Sequence, residues 1–155
     1  MDISLPYSSH KRYLTGIDWV INTLHSITRH QTGHGNSSQI IMSLGGRLDQ
    51  TTLRSQLHRL FHRYPIFTGR VSRDWNLCPY WKMGDHSPKE IPLEVREEPG
   101  NRSACFQDLV NHLNQPFDSP SQHLHFRIAH EEGGGSHIGM RFDHRLLDAA
   151  GAESL

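Results

Sequence analysis

Apolar residues recur along this chain at two periods. In "LTGIDWVINTLHSITRH", Ile17, Val20, Ile21 and Leu24 fall three or four residues apart, which places them on one stripe of a helix. Gly, Asn and Ser break that pattern in "QTGHGNSS" and predict a loop. "QIIMSLGGRL" reads as a short apolar strand. Asp49 then stands as an N-cap before "QTTLRSQLHRLFHRY", whose Leu53, Leu57, Leu60, Phe61 and Tyr64 repeat at helical spacing. Pro65 ends that helix, because a residue before proline is pushed out of the α region. "IFTGRVSRDWNLCPYWKM" predicts two strands around "SRDWN", and "IPLEVREE" another strand. "NRSACFQDLVNHLNQP" is a helix with Phe106, Leu109, Val110 and Leu113 as its buried stripe. "HLHFRIAHEE" and "SHIGMRFDH" form a hairpin across the glycines at 133–135. Helices and strands alternate, so the class is α/β. The expectation is a mixed, mostly antiparallel sheet with the helices over 49–64 and 102–114 packed on one face.

Composition narrows the function classes. The chain has 155 residues, the length of one ordinary domain. Lys plus Arg and Asp plus Glu are both 16, so there is no electrostatic case for nucleic acid or an anionic membrane as partner. No apolar run has the length of a membrane-spanning helix, and "MDISLPYSSHKRYL" lacks the apolar core of a secretory signal. Two cysteines, Cys78 and Cys105, point to a reduced, cytoplasmic setting with structural thiols. The outlier is 13 histidines, which make the net charge rise steeply below about pH 6.5.

The candidate chemistry sits at the end. On "HIGMRFDH" the even set, Ile138, Met140 and Phe142, is the core-facing one, because strand side chains alternate. If the strand persists, His144 continues that set inward and Asp143 points away, where its loss matters least. An imidazole placed where water is scarce can have its proton affinity tuned. Asp148, four residues on, either steadies the imidazole or pairs with an arginine to lock the loop. The plainer alternative is a bonded structural histidine closing a strand. A metal reading rests on His58 and His62 at helical i, i+4 spacing and on His123 and His125 on one strand face. No CxxC or HExxH accompanies them, His58 and His62 flank an apolar stripe where solvated side chains sit, and no metal is expected. His112 and His130 are read as surface residues.

The stretch "PFDSPSQHLHFRIAHEEGGGSHIGMRFDHRLLDAAGAESL" resembles the condensation-domain and CoA-dependent acyltransferase superfamily, with the fold of chloramphenicol acetyltransferase. Its Pro-Phe-Asp element, hairpin and HHxxxDG motif correspond here to Pro116-Phe117-Asp118, the glycines at 133–135, and Asp143-His144-Arg145-Leu146-Leu147-Asp148-Ala149. "LDQTTLRSQLHRLFHRYPIFTGRV" looks like the family's early helix and strand. Two positions depart from the motif. Asp143 replaces the first histidine, and Ala149 replaces the glycine.

The resemblance implies a two-layer sandwich in which His144 acts as general base for a hydroxyl or amine attacking an acyl thioester. Asp148 would be structural, with Arg70 of "FTGRV" as its partner. No tightly bound cofactor is implied; the donor would be acyl-CoA or an acyl-phosphopantetheine thioester on a carrier protein. In monomeric relatives the motif closes the first of two halves, so residues 1–155 are expected to be the N-terminal half of such a domain, truncated, with a C-terminal half or a second subunit as partner. The alternatives are a non-catalytic interaction module or relic with this fold, and a His-rich metal-binding domain.

Overall fold

The computed structural model describes residues 11–83, 88, 90–96 and 99–154. The first ten residues of the stretch read against a secretory signal lie outside them, as do 97–98 at the end of "IPLEVREE". The elements run β1 (Lys11–Tyr13), α1 (Gly16–Thr32), β2 (Ser37–Leu44), α2 (Gln50–Arg63), a 3-10 turn (Pro65–Thr68), β3 (Arg70–Arg73), β4 (Pro79–Lys82), β5 (Leu93–Val95), α3 (Arg102–Leu113), β6 (Leu124–His130), β7 (Ser136–Asp143) and α4 (Ala149–Glu153).

Local chemistry sets the boundaries. Thr15 and Asp18 form a reciprocal capping box on α1, satisfying donors its first turn leaves open. Asp49 accepts from the Thr51 and Thr52 N–H groups at the start of α2, and Asn101 accepts from Ala104 at the start of α3. As the proline predicts, α2 stops at Arg63, with Tyr64 as its cap.

Two sheets result, one ordered β1-β4-β3 and one β2-β7-β6-β5. In the second, β7 runs between β2 and β6, antiparallel to both, and β5 joins β6 in parallel at the edge. The mixed, mostly antiparallel sheet and the hairpin agree with the sequence pattern.

The helix placement does not. On one face Leu57 and Phe61 of α2 join Phe126, Ile128, Ile138, Met140 and Phe142 in a single apolar core, with Leu53 and Leu60 packed against it. On the other face α3 sets Phe106 against His137 and Leu109 against Gly139. A Cβ at position 139 would fall 3.2 Å from Leu109 Cδ2 and 2.6 Å from Gln39 Nε2, so glycine is what lets α3 come this close. The two helices therefore sandwich the sheet instead of sharing one face. The alternation was read with only the even set as core. The odd set is polar but paired, and so it is covered as well.

Two apolar stripes also differ from expectation. On α3 the residues in the interior are Cys105 and Leu109, whereas Val110 is 49% exposed. On α1, Ile17, Val20 and Leu24 are 73%, 59% and 51% exposed, and the residue that helix buries is His25.

Candidate active site

The motif begins where β7 ends. The last β2–β7 pair joins Ser37 to Asp143, and one more backbone bond carries the pairing past it, from the His144 N–H to the Asn36 carbonyl. The strand geometry thus reaches His144. Its ring meets Phe142 edge-on at 6.3 Å, on the face that α2 covers. His144 is half-buried, and among the described residues neither ring nitrogen has a hydrogen-bond or ion-pair partner. Leu146 and Leu147 pack against the core on either side of the turn's end.

Asp143 does not point away into solvent. It is 1% exposed and sits at the centre of a charged cluster. The Arg145 guanidinium donates to its carboxylate through Nε, 3.0 Å from each oxygen, and through Nη2 at 2.6 Å. The Arg145 backbone N–H donates to Oδ1 at 2.9 Å. Twenty residues upstream in sequence, His123 places Nδ1 2.9 Å from Oδ2 and Nε2 2.8 Å from the Gly69 carbonyl. The ring is thus held between a carboxylate and a backbone carbonyl. Burial works against the Asp143 charge. The hydrogen bonds and positive charges of His123 and Arg145 outweigh it and hold the carboxyl far below the usual carboxylate range.

Every neighbouring element braces this cluster. From the three-stranded sheet, Trp81 meets the His123 ring edge-on at 5.3 Å and lies 5.6 Å from the Arg145 guanidinium. From α1, Asn22 Oδ1 accepts from Arg145 Nη1 at 3.4 Å. His25 Nδ1 lies 3.7 Å from Asp143 Oδ1, too far for a hydrogen bond. Burial, and then the Arg145 charge, pushes its imidazole down to about 4. Gly35 closes over that ring, where a Cβ would lie 2.1 Å from Cε1. Next along β7, Arg141 donates to the His112 and Gln115 carbonyls at 2.6 and 2.7 Å and stacks on Phe117, so the Pro116-Phe117-Asp118 segment is fastened to the same strand.

The other expected residues fall elsewhere. Asp148 is exposed and caps α4, accepting the Gly151 N–H at 2.7 Å. Arg70 is exposed on β3, and no ion pair joins it to Asp148. The arginine–carboxylate lock exists, but it is Arg145 on Asp143. The N-cap bond to the Gly151 N–H, three residues on, engages Asp148 locally. Of the histidines, His58 and His62 are exposed, as a solvated helix face requires. His130 is buried against Ser136 Oγ at 3.0 Å instead of lying on the surface. Sequence reasoning overlooked His123 and His25 as site residues. The available signal was the polar series His137, Arg141 and Asp143 on a strand whose other set runs Ile138, Met140 and Phe142.

No protein-family model matches the sequence, and no curated protein is similar to it at significance. Solved structures are similar in fold. The starter condensation domain of rhizomide synthetase RzmA matches with a TM-score of 0.73 over 94% of this chain and 35% of that one, at 9% identity. The first condensation domain of the calcium-dependent antibiotic synthetase, in complex with a substrate analogue, matches at 0.70 over 88% and 34%, with 14% identity. The condensation domain of the monacolin K polyketide synthase MokA matches at 0.66 over 86% and 30%, with 13% identity. The chain thus spans about a third of the length of the solved chains it matches. Its fold is that of a condensation domain, the chloramphenicol acetyltransferase-like arrangement that the motif and element order imply.

Proposed function

We propose that this chain carries the general base of an acyltransferase, which moves an acyl group from a carrier-protein or CoA thioester to a hydroxyl or amine. One observation supports the reading above the others. The backbone around His144 is clamped, through the Asn36 carbonyl on one side and the Arg145–Asp143 pair on the other, while among the described residues the His144 ring nitrogens have no protein partner. A general base needs that combination: a fixed position and an available lone pair. His144 would take the proton from the acceptor as it attacks the thioester carbonyl, and return it to the departing thiolate. Asp143, Arg145 and His123 are positioning residues in this scheme. The wall facing His144, which holds the acceptor, would come from a second half or subunit, in keeping with the length of the solved condensation domains.

The test measures thioester loss and acylated product with an acyl-pantetheine donor and an amine or alcohol acceptor. His144→Ala should lower the rate about a hundredfold or more while leaving the unfolding midpoint within a degree or two. Unchanged turnover in that variant sinks the proposal. A second reading, a non-catalytic interaction module, is favoured by the exposed Ile17, Val20 and Leu24 stripe of α1. It is supported if wild type and His144→Ala are equally inert toward every donor offered.

A further inference from the structure

On the face of the sheet opposite the one His144 extends, Glu94 of β5, His125 of β6 and His112 in the last turn of α3 bring their side chains together. His112 Nε2 lies 3.0 Å from Glu94 Oε2, and His125 Nε2 lies 3.4 Å from Glu94 Oε1. The two rings stack at 5.5 Å with planes 29° apart, so both present Nε2 to the same carboxylate. One donor atom from each of the three residues lies within 4.8 Å of the others. We propose that Glu94, His112 and His125 bind a divalent transition cation of the zinc type.

The donor set suits such an ion. Two imidazole nitrogens and one carboxylate oxygen are a known catalytic-type zinc set, with metal–ligand bonds near 2.1 Å, which puts tetrahedral ligand atoms about 3.4 Å apart. The observed separations bracket that value, so binding asks for shifts of about an ångström. Arg127 is the cation that balances Glu94, with Nη1 2.5 Å from Oε2 and 3.4 Å from His112 Nε2. Asp108 holds the same guanidinium through Nε and Nη2 at 2.6 and 2.9 Å. Arg127 can therefore remain on Oε2 as an outer partner while the metal takes Oε1, as outer partners commonly do for ligating carboxylates. A cavity of about 440 Å³ reaches Glu94 and His125, with Asp118 and Gln122 also in its lining, and offers solvent a path to two of the three ligands. The ligands come from three elements, 18 and 13 residues apart in sequence, so no short motif announces them.

Isothermal titration of the chelator-treated full chain with Zn²⁺ tests the site, with Co²⁺ absorption reporting coordination. The expected result is one equivalent bound, with a tetrahedral cobalt spectrum. Glu94→Gln, an exposed and conservative change, and His112→Gln should each weaken binding by more than the 10- to 100-fold that loss of an outer partner costs. The double variant His58→Ala/His62→Ala should bind as the wild type does. The proposal is overturned if the wild type takes up no stoichiometric zinc at micromolar concentration. It is equally overturned if Glu94→Gln and His112→Gln bind unchanged, or if the His58/His62 variant is the one that loses the equivalent.

Discussion

Beneath α2 the central sheet presents Phe126, Ile128, Ile138, Met140 and Phe142; beneath α3 the same two strands present His125, Arg127, His137, Arg141 and Asp143. Both faces are covered, but different forces hold them. The apolar face gains from area removed from water, and any apolar side chain of similar size gains nearly as much. The polar face holds because its buried polar groups have named partners: Arg127 with Asp108, His137 with Glu131, Arg141 with the His112 and Gln115 carbonyls, and Asp143 with Arg145 and His123. Directional bonds cannot be exchanged for others of the same volume. One face should therefore tolerate substitution, and the other should fix the register of β7 and the position of the His144 loop.

The largest effect should come from removing the hub of the polar face. Asp143→Ala leaves the Arg145 guanidinium and the His123 ring without their buried carboxylate, and should cost about 3–5 kcal/mol in urea unfolding, with activity lost as well. A loss under about 1 kcal/mol would mean that water replaces the carboxylate and that the cluster is not closed.

Acidification probes the same cluster. His25 takes a proton near pH 4 in the fold and near 6.5 when unfolded, so the unfolded chain binds more protons between those values. Stability is fully present above about pH 6.5 and falls by about 3 kcal/mol from this group as pH drops to 4. Asp143, whose carboxyl is depressed, adds a further loss only below its ordinary range near pH 4. In His25→Asn the slope of unfolding free energy against pH between 4 and 6.5 should fall by about 1.4 kcal/mol per pH unit, one proton's worth. An unaltered slope would show that His25 is not held neutral.

Neighbouring residues on β7 set the two faces against each other directly. Met140→Leu keeps volume on the apolar face and should cost less than about 1.5 kcal/mol. Arg141→Met keeps bulk but removes charged hydrogen bonds to the His112 and Gln115 carbonyls, and should cost about 2–3 kcal/mol. Equal losses in denaturant titrations would erase the distinction between the faces.

The smallest effects belong to Asp148 and, below it, Arg70. As Asp148 caps the short α4, its replacement by Ala should cost about 1 kcal/mol, and Arg70→Ala should change stability by less than about 0.5 kcal/mol. Coupling between the two in a double-mutant cycle would restore the ion pair that the motif resemblance implied.

Read along the chain, the sequence by itself determined the elements and their ends. Asp49 and Pro65 bound α2, Asn101 opens α3, the glycines at 133–135 turn the β6–β7 hairpin, and alternation carries His144 to the end of β7 on the Phe142 side. These are local matters of capping, turn chemistry and side-chain period, each settled within a few residues. Only the tertiary structure decided what covers the second face. Alternation shows that His137, Arg141 and Asp143 share a side, but polar residues on a strand read as solvent-facing until a partner is found. Glu131 and Arg145 lie close to His137 and Asp143 in sequence, but the His112 and Gln115 carbonyls that meet Arg141 and the His123 that meets Asp143 are 20 or more residues away. The meeting of His123 with Asp143 follows from the β6–β7 register, whereas that of His112 with His125 and Glu94 depends on how α3 crosses the sheet. A charge can be buried only where an opposite charge or a carbonyl arrives to meet it, and that arrival is a property of the packed chain.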